Sequence, residues 1–562
     1  MINSLYAENY KSFQNLHLDI DNVNILLGSN SCGKSSITNL LLMLSQTADT
    51  DSSYESIFRL NGSKSSLGEA VNIFPDKDPT KLIKIGWTVD KELTKESFTE
   101  YSVTDILSAI DDKLRMEFSL LRRFKDTNED IYDEYFNIVD GFGDVYFNEL
   151  IRQDSKRISN QELETLKSKT SKSIKLSRKK FEQIVKSAPN SRSLRAIKAR
   201  QKTNISLSRL NELFDHVSFS HKDLDLPNAI EFTIGYNENK KECEVKSLSI
   251  LTEDKREAIT INVSSSRKIE LNSDIFDNDA LEKSRLDIVR NMNLNNLSLL
   301  DYKPFRIDVA NPFSDFVRQY ISSISKFFLE QLKDTKVNHV SPLRAFPQRY
   351  YLLEKSAQHT MLNSTDGSQL AEILKNNPAI LKSVNSYFDE FGIKISTAKT
   401  NDIIHRITVK QDNVTVELTD VGFGISQVLP ILVQALLSPP NSITIIEQPE
   451  IHLHPKMQAW LTSVLVNISI TKNKKFIIET HSDTIIKRLQ LLLLEPIIEF
   501  NINKLNIYHL ERNCSGNTTL KKAPLNEYGE ISWPKGFMDS EINDAIKLQK
   551  LKVNALKTKR AS

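Results

Sequence analysis

A short glycine-containing stretch near the N-terminus has the residue types and spacing of a phosphate-binding loop. Residues 28–35 read GSNSCGKS, which matches the pattern G-x-x-x-x-G-K-[ST] in full. The apolar run 23–27 predicts a buried strand before the loop, and the run 36–44 predicts a helix after it. In this context the backbone N–H groups of the loop and helix N-terminus bind an anion. The sequence therefore predicts a nucleotide-phosphate site.

Within this loop, Lys34 is expected to reach the β- and γ-phosphates and Ser35 to bind Mg²⁺. The residues predicted to contact the nucleotide here are Asn30, Ser31, Cys32, Gly33, Lys34, Ser35 and Ser36.

A second predicted strand ends in an acidic residue some four hundred residues later. Residues 443–446 read ITII and are followed by Glu447, which is the Walker B pattern. Such a strand carries an oxygen ligand for Mg²⁺ to the side of the phosphate loop. Glu447 is therefore predicted to be a metal ligand together with Ser35.

Two further motifs flank this strand. Glycines precede the helical run 428–437, where the residues predicted to face a nucleotide are Gly422, Gly424, Ser426 and Gln427. Downstream, the predicted strand 476–480 ends at His481. A histidine at this place can contact the γ-phosphate and sense its loss, although a lone histidine at a strand end is often an ordinary core or surface residue.

The order of these four motifs resembles the ATP-binding-cassette type of head shared by structural-maintenance-of-chromosomes (SMC), RecF and Rad50 ATPases. The resemblance covers about residues 1–75 and 400–515. It implies an α/β head assembled from both chain ends, with a large insertion between the halves. It also implies ATP hydrolysis with ATP and Mg²⁺, in a head-to-head dimer where Gly424 and Ser426 of one chain cover the ATP held by Lys34 and Ser35 of the other.

Several short stretches resemble more narrowly a family of stand-alone AAA-type ATPases, which includes the ATPase subunits of Septu anti-phage systems (the PtuA family). The stretches are ENYKSF at 8–13, NG at 61–62, SPLR at 341–344, EQPEIHLHP at 447–455 and WPKGF at 533–537. This resemblance implies control of a separate HNH nuclease subunit. In the retron-associated form it also implies a small DNA–RNA hybrid and its reverse transcriptase as partners.

The candidate catalytic residues are Glu447, Gln448, Glu450 and His481, and one of them departs from the pattern of the cassette heads. The residue after the Walker B acid is usually glutamate there, whereas this chain has Gln448. An amide orients water but cannot accept its proton at neutral pH. Hydrolysis is therefore expected to be slow, unless Glu450 or the γ-phosphate itself takes the proton. Gln46 faces the wrong way for a metal-facing glutamine, which leaves that role unassigned.

Composition predicts a cytoplasmic protein without a membrane partner. The 562 residues carry 74 Lys and Arg, 72 Asp and Glu, and three widely separated cysteines, which is neither a disulfide framework nor a metal cluster. The N-terminus lacks the pattern of a signal peptide, and the apolar run 491–494 is too short to span a bilayer.

The insertion contains an acidic segment at 126–144, followed by a strongly basic one. Residues 167–202 hold thirteen Lys or Arg and a single acid, Glu182. Helices over 155–187 and 192–215, broken at Pro189, would form a basic helical hairpin, an arm at about 153–217. Such a charge predicts nucleic-acid binding through the phosphate backbone. A solvated basic face, or docking on the acidic segment of another chain, would explain it too.

The sequence suggests five regions and three functions. The regions are a first half of the head at 1–90, the mostly helical insertion at 91–300, a helical linking region at 301–400, the second half of the head at 401–515 and a tail at 516–562. Strand-like alternation at 229–234, 259–263 and 404–418 is expected to complete the antiparallel sheet of the head.

The three candidate functions are an ATPase controlling a nuclease, a RecF- or Rad50-like DNA clamp in repair or recombination without a nuclease partner, and a nucleotide-locked scaffold.

Overall fold

The computed structural model describes most of the chain, including both ends of the predicted head. The described residues are 1–49, 57–90, 110–112, 114–119, 122, 125, 129–152, 160–187, 226–264, 268–290, 292, 297, 312–333, 335–344, 347–352, 362, 369–400, 404–495, 499–526, 528–532 and 546–552. The second predicted arm helix at 192–215 and the stretch 533–537 lie outside them.

Strands and helices alternate along much of the chain, as expected for an α/β fold. The strands are β1 (Ile2–Tyr10), β2 (Phe13–Asp19), β3 (Val23–Gly28), β4 (Ile83–Val89), β5 (Pro227–Asn237), β6 (Glu242–Thr252), β7 (Glu257–Val263), β8 (Ile269–Asn272), β9 (Val337–Val340), β10 (Tyr351–Leu352), β11 (Ile393–Lys399), β12 (Ile404–Gln411), β13 (Val414–Glu417), β14 (Ile443–Glu447), β15 (Lys475–Glu479), β16 (Leu505–Arg512) and β17 (Thr518–Lys522). The helices are α1 (Lys34–Ala48), α2 (Glu129–Arg152), α3 (Asn160–Ser187), α4 (Asn278–Val289), α5 (Pro312–Glu330), α6 (Leu370–Asn376), α7 (Pro378–Phe388), α8 (Phe423–Leu437), α9 (Pro455–Lys472) and α10 (Asp483–Leu494). None of the helices in these ranges is both long and apolar enough to cross a bilayer.

The chain divides into two compact units, and the first contains both chain ends. It comprises Met1–Thr50, Phe58–Ile83 and Glu330–Ser562, whereas the second comprises Asp51–Ile57 and Lys84–Leu329. The predicted assembly of a head from both ends of the chain is therefore confirmed.

A sheet in the first unit places the predicted motifs side by side. Its strand order is β1-β2-β17-β16-β3-β15-β14-β9. The run from β16 to β9 is parallel at every step. All residues of β3 and β15 are buried, as is usual for parallel strands covered on both faces. Their carboxyl ends therefore meet at one edge of the sheet.

A separate small sheet corrects one expectation about the head. Strands β10, β11, β12 and β13 form a four-stranded antiparallel sheet of their own. Residues 404–418 thus form antiparallel strands, but the prediction that they complete one antiparallel sheet of the head together with the strands at 229–234 and 259–263 is wrong. Strand β12 pairs with β11, which precedes it in the sequence, and with β13, which follows it after a turn at Asp412. Hairpin pairing between strands that are neighbours in sequence therefore places them in a sheet of their own.

In the second unit, β5 to β8 form an antiparallel meander, and α2 packs against α3. The strands predicted at 229–234 and 259–263 are confirmed as parts of β5 and β7. The predicted basic helix is confirmed as α3, and Lys180 on α3 forms an ion pair with Glu134 on α2. The partner of the basic helix in the described part is thus the acidic helix before it.

Asn24 joins the N-terminal strand β3 to both of its C-terminal neighbours. The side chain is fully buried. Its Nδ2 donates to the carbonyl oxygen of Phe476 on β15 at 3.0 Å, and its Oδ1 accepts from Nδ2 of Asn506 on β16 at 3.0 Å. These bonds stabilise strand pairs whose members are about 450 or more residues apart.

We predict that Asn24→Ala lowers the free energy of unfolding by about 1–3 kcal/mol, because it leaves buried polar partners without hydrogen bonds. Chemical denaturation measures the loss. The control is the exposed Asn503→Ala, expected to change it by less than about 0.5 kcal/mol. Equal effects of the two variants would contradict the role given to Asn24.

Candidate nucleotide-binding site

The phosphate loop connects the end of β3 to the start of α1 through a backbone that requires glycine at both of its ends. Gly28 has a φ of 154° and Gly33 a φ of 105°. A Cβ atom at Gly28 would lie 2.6 Å from Sγ of Cys32 and 2.7 Å from the carbonyl oxygen of Leu510. The hydroxyl of Thr518 on β17 donates to the carbonyl oxygen of Cys32 at 3.0 Å. The loop is thus fixed by residues from the far end of the chain.

The side chain of Lys34 folds back onto the loop that precedes it. Its side chain is 5% exposed, and Nζ donates to the carbonyl oxygens of Gly28 at 2.9 Å and Ser29 at 3.0 Å. The same Nζ is 3.9 Å from Oε1 of Glu479. The predicted loop residues Asn30, Ser31 and Ser35 are exposed, whereas Cys32 is buried and Gly33 and Ser36 are half-buried. The loop therefore presents polar groups to solvent, whereas the Lys34 ammonium is buried and bound by the loop's own carbonyl oxygens.

Strand register brings three of the four predicted motifs to one edge of the sheet. β15 lies between β3 and β14, with Glu479 level with Leu26 on one side and with Glu447 on the other. His481 follows β15 by two residues. The phosphate loop, the Walker B strand and the histidine loop are thus adjacent.

The Walker B carboxylate is oriented by a histidine that the sequence did not indicate. Nε2 of His339, on β9, lies 3.0 Å from Oε1 of Glu447. Both side chains are largely buried. Partners of this kind commonly fix a metal-binding carboxylate in one orientation. No local pattern marks His339, since only the pairing of β9 with β14 brings it to the site.

The turn after Glu447 is held in an uncommon conformation. Gln448 has a φ of 44°, in the left-handed region, and its N–H donates to the carbonyl oxygen of Glu479 at 2.7 Å. Nη2 of Arg344 donates to the carbonyl oxygens of Glu447 at 3.0 Å and of Gln448 at 3.2 Å. The backbone of the turn is therefore fixed from two sides.

Glu450 is bound to the histidine loop by both of its carboxylate oxygens. Oε2 accepts from the hydroxyl of Thr480 at 2.7 Å, and Oε1 accepts from the N–H of His481 at 2.8 Å. This arrangement favours a positioning role for Glu450 over that of a proton acceptor. Its assignment as a catalytic residue stays a prediction.

Burial and neighbouring charges shift the pKa values of two side chains at this edge of the sheet, Glu479 and His481. Burial, followed by the neighbouring Glu447, raises the pKa of Glu479 to about 7, although Lys34 opposes the shift. Loss of solvation and the positive charge of Lys34 lower the pKa of His481, with Glu450 opposing. His481 is thereby favoured in its neutral form, which can accept as well as donate a hydrogen bond.

The predicted signature residues lie at the start of α8, which packs on β9 and β14. Gly422 is exposed at the N-cap and Gly424 is half-buried, whereas the side chains of Ser426 and Gln427 are buried within this chain. Backbone groups at the helix start are thus the accessible part of this motif. Coverage of a second protomer's ATP by these residues stays a prediction.

Gln46 joins α1 to the segment around Ser65. Its side chain is buried on α1, where Oε1 accepts from the N–H of Ser65 at 3.1 Å and Nε2 donates to the carbonyl oxygen of Ser65 at 3.2 Å. A Cβ atom at Gly62 would lie 2.7 Å from Oε1 of Gln46, which explains the glycine there.

The residues at the strand ends fit a nucleoside triphosphate with Mg²⁺. Loop N–H groups and Lys34 suit phosphate oxygens, and the Ser35 hydroxyl with the Glu447 carboxylate suits a hard cation. In the part of the chain that the structure describes, Oε2 of Glu479 and two guanidinium nitrogens of Arg344 are buried without a hydrogen-bond partner. An acidic and a basic group at this edge thus each have unused hydrogen-bonding atoms that a ligand could engage.

We predict that Glu479→Gln stabilises the nucleotide-free protein at pH 8 but has little effect at pH 5. Because the pKa of Glu479 is raised in the folded state from 4.5 to about 7, folding favours the protonated acid. Its contribution is full below pH 4.5 and is lost as the pH rises through 7, by at most about 3 kcal/mol. Thermal unfolding at both pH values measures the gain, with the exposed Glu499→Gln as control. An equal shift at both pH values would contradict this account.

Comparison with known proteins places the chain among ATPases. The sequence profile of the AAA ATPase domain family (AAA_15) matches residues 1–486. No curated protein matches the chain. Among solved structures, it is similar to an SMC head bound to the C-terminal winged-helix domain of ScpA, with a TM-score of 0.36, 9% identity, and coverage of 94% of this chain and 98% of that one.

Two further SMC heads give comparable results. The SMC head domain from Thermotoga maritima has a TM-score of 0.31 and 8% identity, and covers 93% of this chain and 99% of its own. The head domain with a coiled coil and joint from Pyrococcus yayanosii has a TM-score of 0.31 and 10% identity, with 94% and 98% covered. Similarity at this level carries no argument about function. The profile match spans most of the 562 residues, and the chain therefore belongs to the AAA ATPase domain family.

Proposed function

We propose that this chain is a cytoplasmic ATPase that dimerises head to head around ATP and controls a separate HNH-type nuclease subunit in anti-phage defence. The observation that carries the nucleotide part is the convergence of Lys34, Glu447 and His481 at the ends of adjacent parallel strands. The nuclease and defence parts rest on the sequence stretches that resemble those of Septu ATPase subunits.

In this proposal the chain's own groups hold and orient the nucleotide. Lys34 binds the phosphates, Ser35 and Glu447 supply oxygen ligands for Mg²⁺, and His339 keeps Glu447 oriented. Bound Mg²⁺ would neutralise charge that develops on the phosphate oxygens. The amide of Gln448 positions a water molecule without accepting its proton, which predicts slow hydrolysis.

The dimer would complete each site with backbone from the signature motif. Gly422 is exposed at the N-terminus of α8, where helix N–H groups favour anions. Gly424 leaves room for close approach of a phosphate to this backbone. ATP then acts chiefly as a bridge between two heads.

We predict that Lys34→Ala weakens ATP binding at least a hundredfold, since it removes the cation at the mouth of the loop, and abolishes defence. Binding of a fluorescent ATP analogue to purified protein measures this, with the exposed Lys472→Ala as a matched control. Because Lys34 also bonds to loop carbonyls, thermal unfolding of each variant must show an intact fold. Normal binding by the Lys34 variant would refute the site.

The basic helix α3 supports a nucleic-acid partner. Its buried side carries Leu166, Ile174, Phe181 and Ile184. The opposite side is cationic, and its exposed residues include Lys169, Lys172, Lys175, Arg178 and Lys179. We propose contact with the phosphate backbone of DNA or RNA, including a DNA–RNA hybrid and its reverse transcriptase where a retron is associated.

We predict that replacing Lys169, Lys172 and Lys175 together by glutamine weakens nucleic-acid binding and flattens its salt dependence. If each lysine neutralises one phosphate, the slope of log K against log salt falls by about 2.7 for a duplex. Fluorescence anisotropy across a salt series measures the slope. The control replaces the exposed Lys240, Lys241 and Lys255 of the β5–β8 meander, where no change is expected. The same slope in both triple variants would exclude α3 as the binding face.

Co-expression with neighbouring genes tests whether the chain has a nuclease partner. Co-expression with an adjacent HNH open reading frame should yield a stable complex whose cleavage depends on Lys34. The alternative, a RecF- or Rad50-like clamp, predicts DNA binding and ATP-dependent dimerisation with no nuclease bound. Isolation of the chain alone, from cells that express such a neighbour, would favour the clamp.

A further inference from the structure

Arg344 is a buried cation that is only partly used by the protein. It follows β9 by four residues, and its side chain is 5% exposed. Nη2 donates to the carbonyl oxygens of Glu447 and Gln448, at 3.0 and 3.2 Å. Nε and Nη1 are buried and have no hydrogen-bond partner among the described residues. The hydrogen bonds of the guanidinium to this part of the chain are therefore made by Nη2 alone.

Such an arrangement is costly for a group that stays charged. Burial lowers the pKa of Arg344 to about 10, with Glu450 opposing, so the guanidinium remains protonated at neutral pH. Glu450 does not serve the two unused nitrogens: in the described part of the chain its oxygens accept from Thr480 and from the N–H of His481, and neither bonds to Nε or Nη1 of Arg344. A buried donor without a partner is destabilising, and more so when it is charged. The two nitrogens thus require an acceptor that the described residues do not provide.

The position of Arg344 indicates the chemistry of that acceptor. Its guanidinium lies at the carboxyl end of β14, two strands away from the phosphate-loop strand β3. Strands in a sheet lie about 4.8 Å apart, so this separation is about 10 Å. Lys34 reaches over β15, between the two, where it approaches Glu479. Ligands of parallel α/β sheets bind at this edge, and the planar guanidinium suits phosphate oxygens in particular.

We propose that Arg344 binds the terminal phosphate of ATP through Nε and Nη1 and thereby distinguishes ATP from ADP. This inference rests on the proposed nucleotide site and adds to it the residue that recognises the third phosphate. Because Nη2 of the same guanidinium holds the carbonyls of Glu447 and Gln448, binding of the phosphate is transmitted directly to the Walker B turn.

The test compares two nucleotides on wild-type protein and on Arg344→Gln. The affinity for the non-hydrolysable analogue AMPPNP, in the presence of Mg²⁺, is expected to fall at least tenfold. The affinity for ADP is expected to stay within threefold, since ADP lacks the third phosphate. Isothermal titration calorimetry measures both. Equal losses for AMPPNP and ADP, or no loss for either, would show that Arg344 only supports the turn and would overturn the proposal.

Arg349→Gln is the matched control. Arg349 belongs to the same segment, but it is half exposed and its guanidinium pairs with Asp420 at 2.9 Å and Glu417 at 3.4 Å. Its loss should leave the AMPPNP-to-ADP affinity ratio unchanged. A change in the ratio as large as that of Arg344→Gln would mean that the effect is not specific to Arg344, which would also overturn the proposal.

A conservative variant keeps the proposal testable if Arg344→Gln does not fold. Arg344→Lys retains the buried charge but lacks the fork that serves two carbonyls and a phosphate together. We expect it to bind ADP normally and AMPPNP at least fivefold more weakly, and a wild-type ratio would overturn the proposal. Failure of the wild-type protein to bind either nucleotide would instead refute the proposed nucleotide site itself.

Discussion

Parallel hydrogen bonding of β15 to both β3 and β14 places Leu26, Glu479 and Glu447 at one level of the sheet. This pairing joins a strand near the N-terminus to strands more than four hundred residues later, and the approach of Lys34 to Glu479 and of the Walker B turn to the histidine loop depends on it. Because side chains alternate along a strand, a slip of one residue would turn Glu479 away from Glu447. The fully buried faces of β3 and β15, with Asn24 bonded across the boundary, fix the register.

That register concentrates charge of both signs where little water reaches. Lys34 and Arg344 are buried cations at this edge, and Glu479 is a buried acid. Among the described residues, Oε2 of Glu479 and two guanidinium nitrogens of Arg344 lack hydrogen-bond partners. The proposed ligand, a nucleotide with its divalent cation, carries both kinds of charge. Under that proposal, one ligand would compensate both groups.

The sequence indicated the features that local patterns encode. The phosphate loop follows from two glycines and a lysine between a strand and a helix, and Glu447 and His481 follow from apolar runs that end in polar residues. The contacts of His339 and Glu479 could not be predicted, because they depend on strand order. Nothing in residues 337–344 shows that β9 will pair with β14. Likewise, the alternation at 404–418 predicts strands but not that local hairpins will draw them into a separate sheet.

The bonds around Gln448 connect the Walker B turn to the histidine loop. The N–H of Gln448 donates to the carbonyl oxygen of Glu479, and Glu450 accepts from Thr480 and from the N–H of His481. A displacement of either loop must therefore move the other or break these bonds. In the proposed function, the amide of Gln448 would position water without accepting its proton. The connection between the two loops would then let the presence of the third phosphate, more than its rapid removal, set the conformation that the proposed partner recognises.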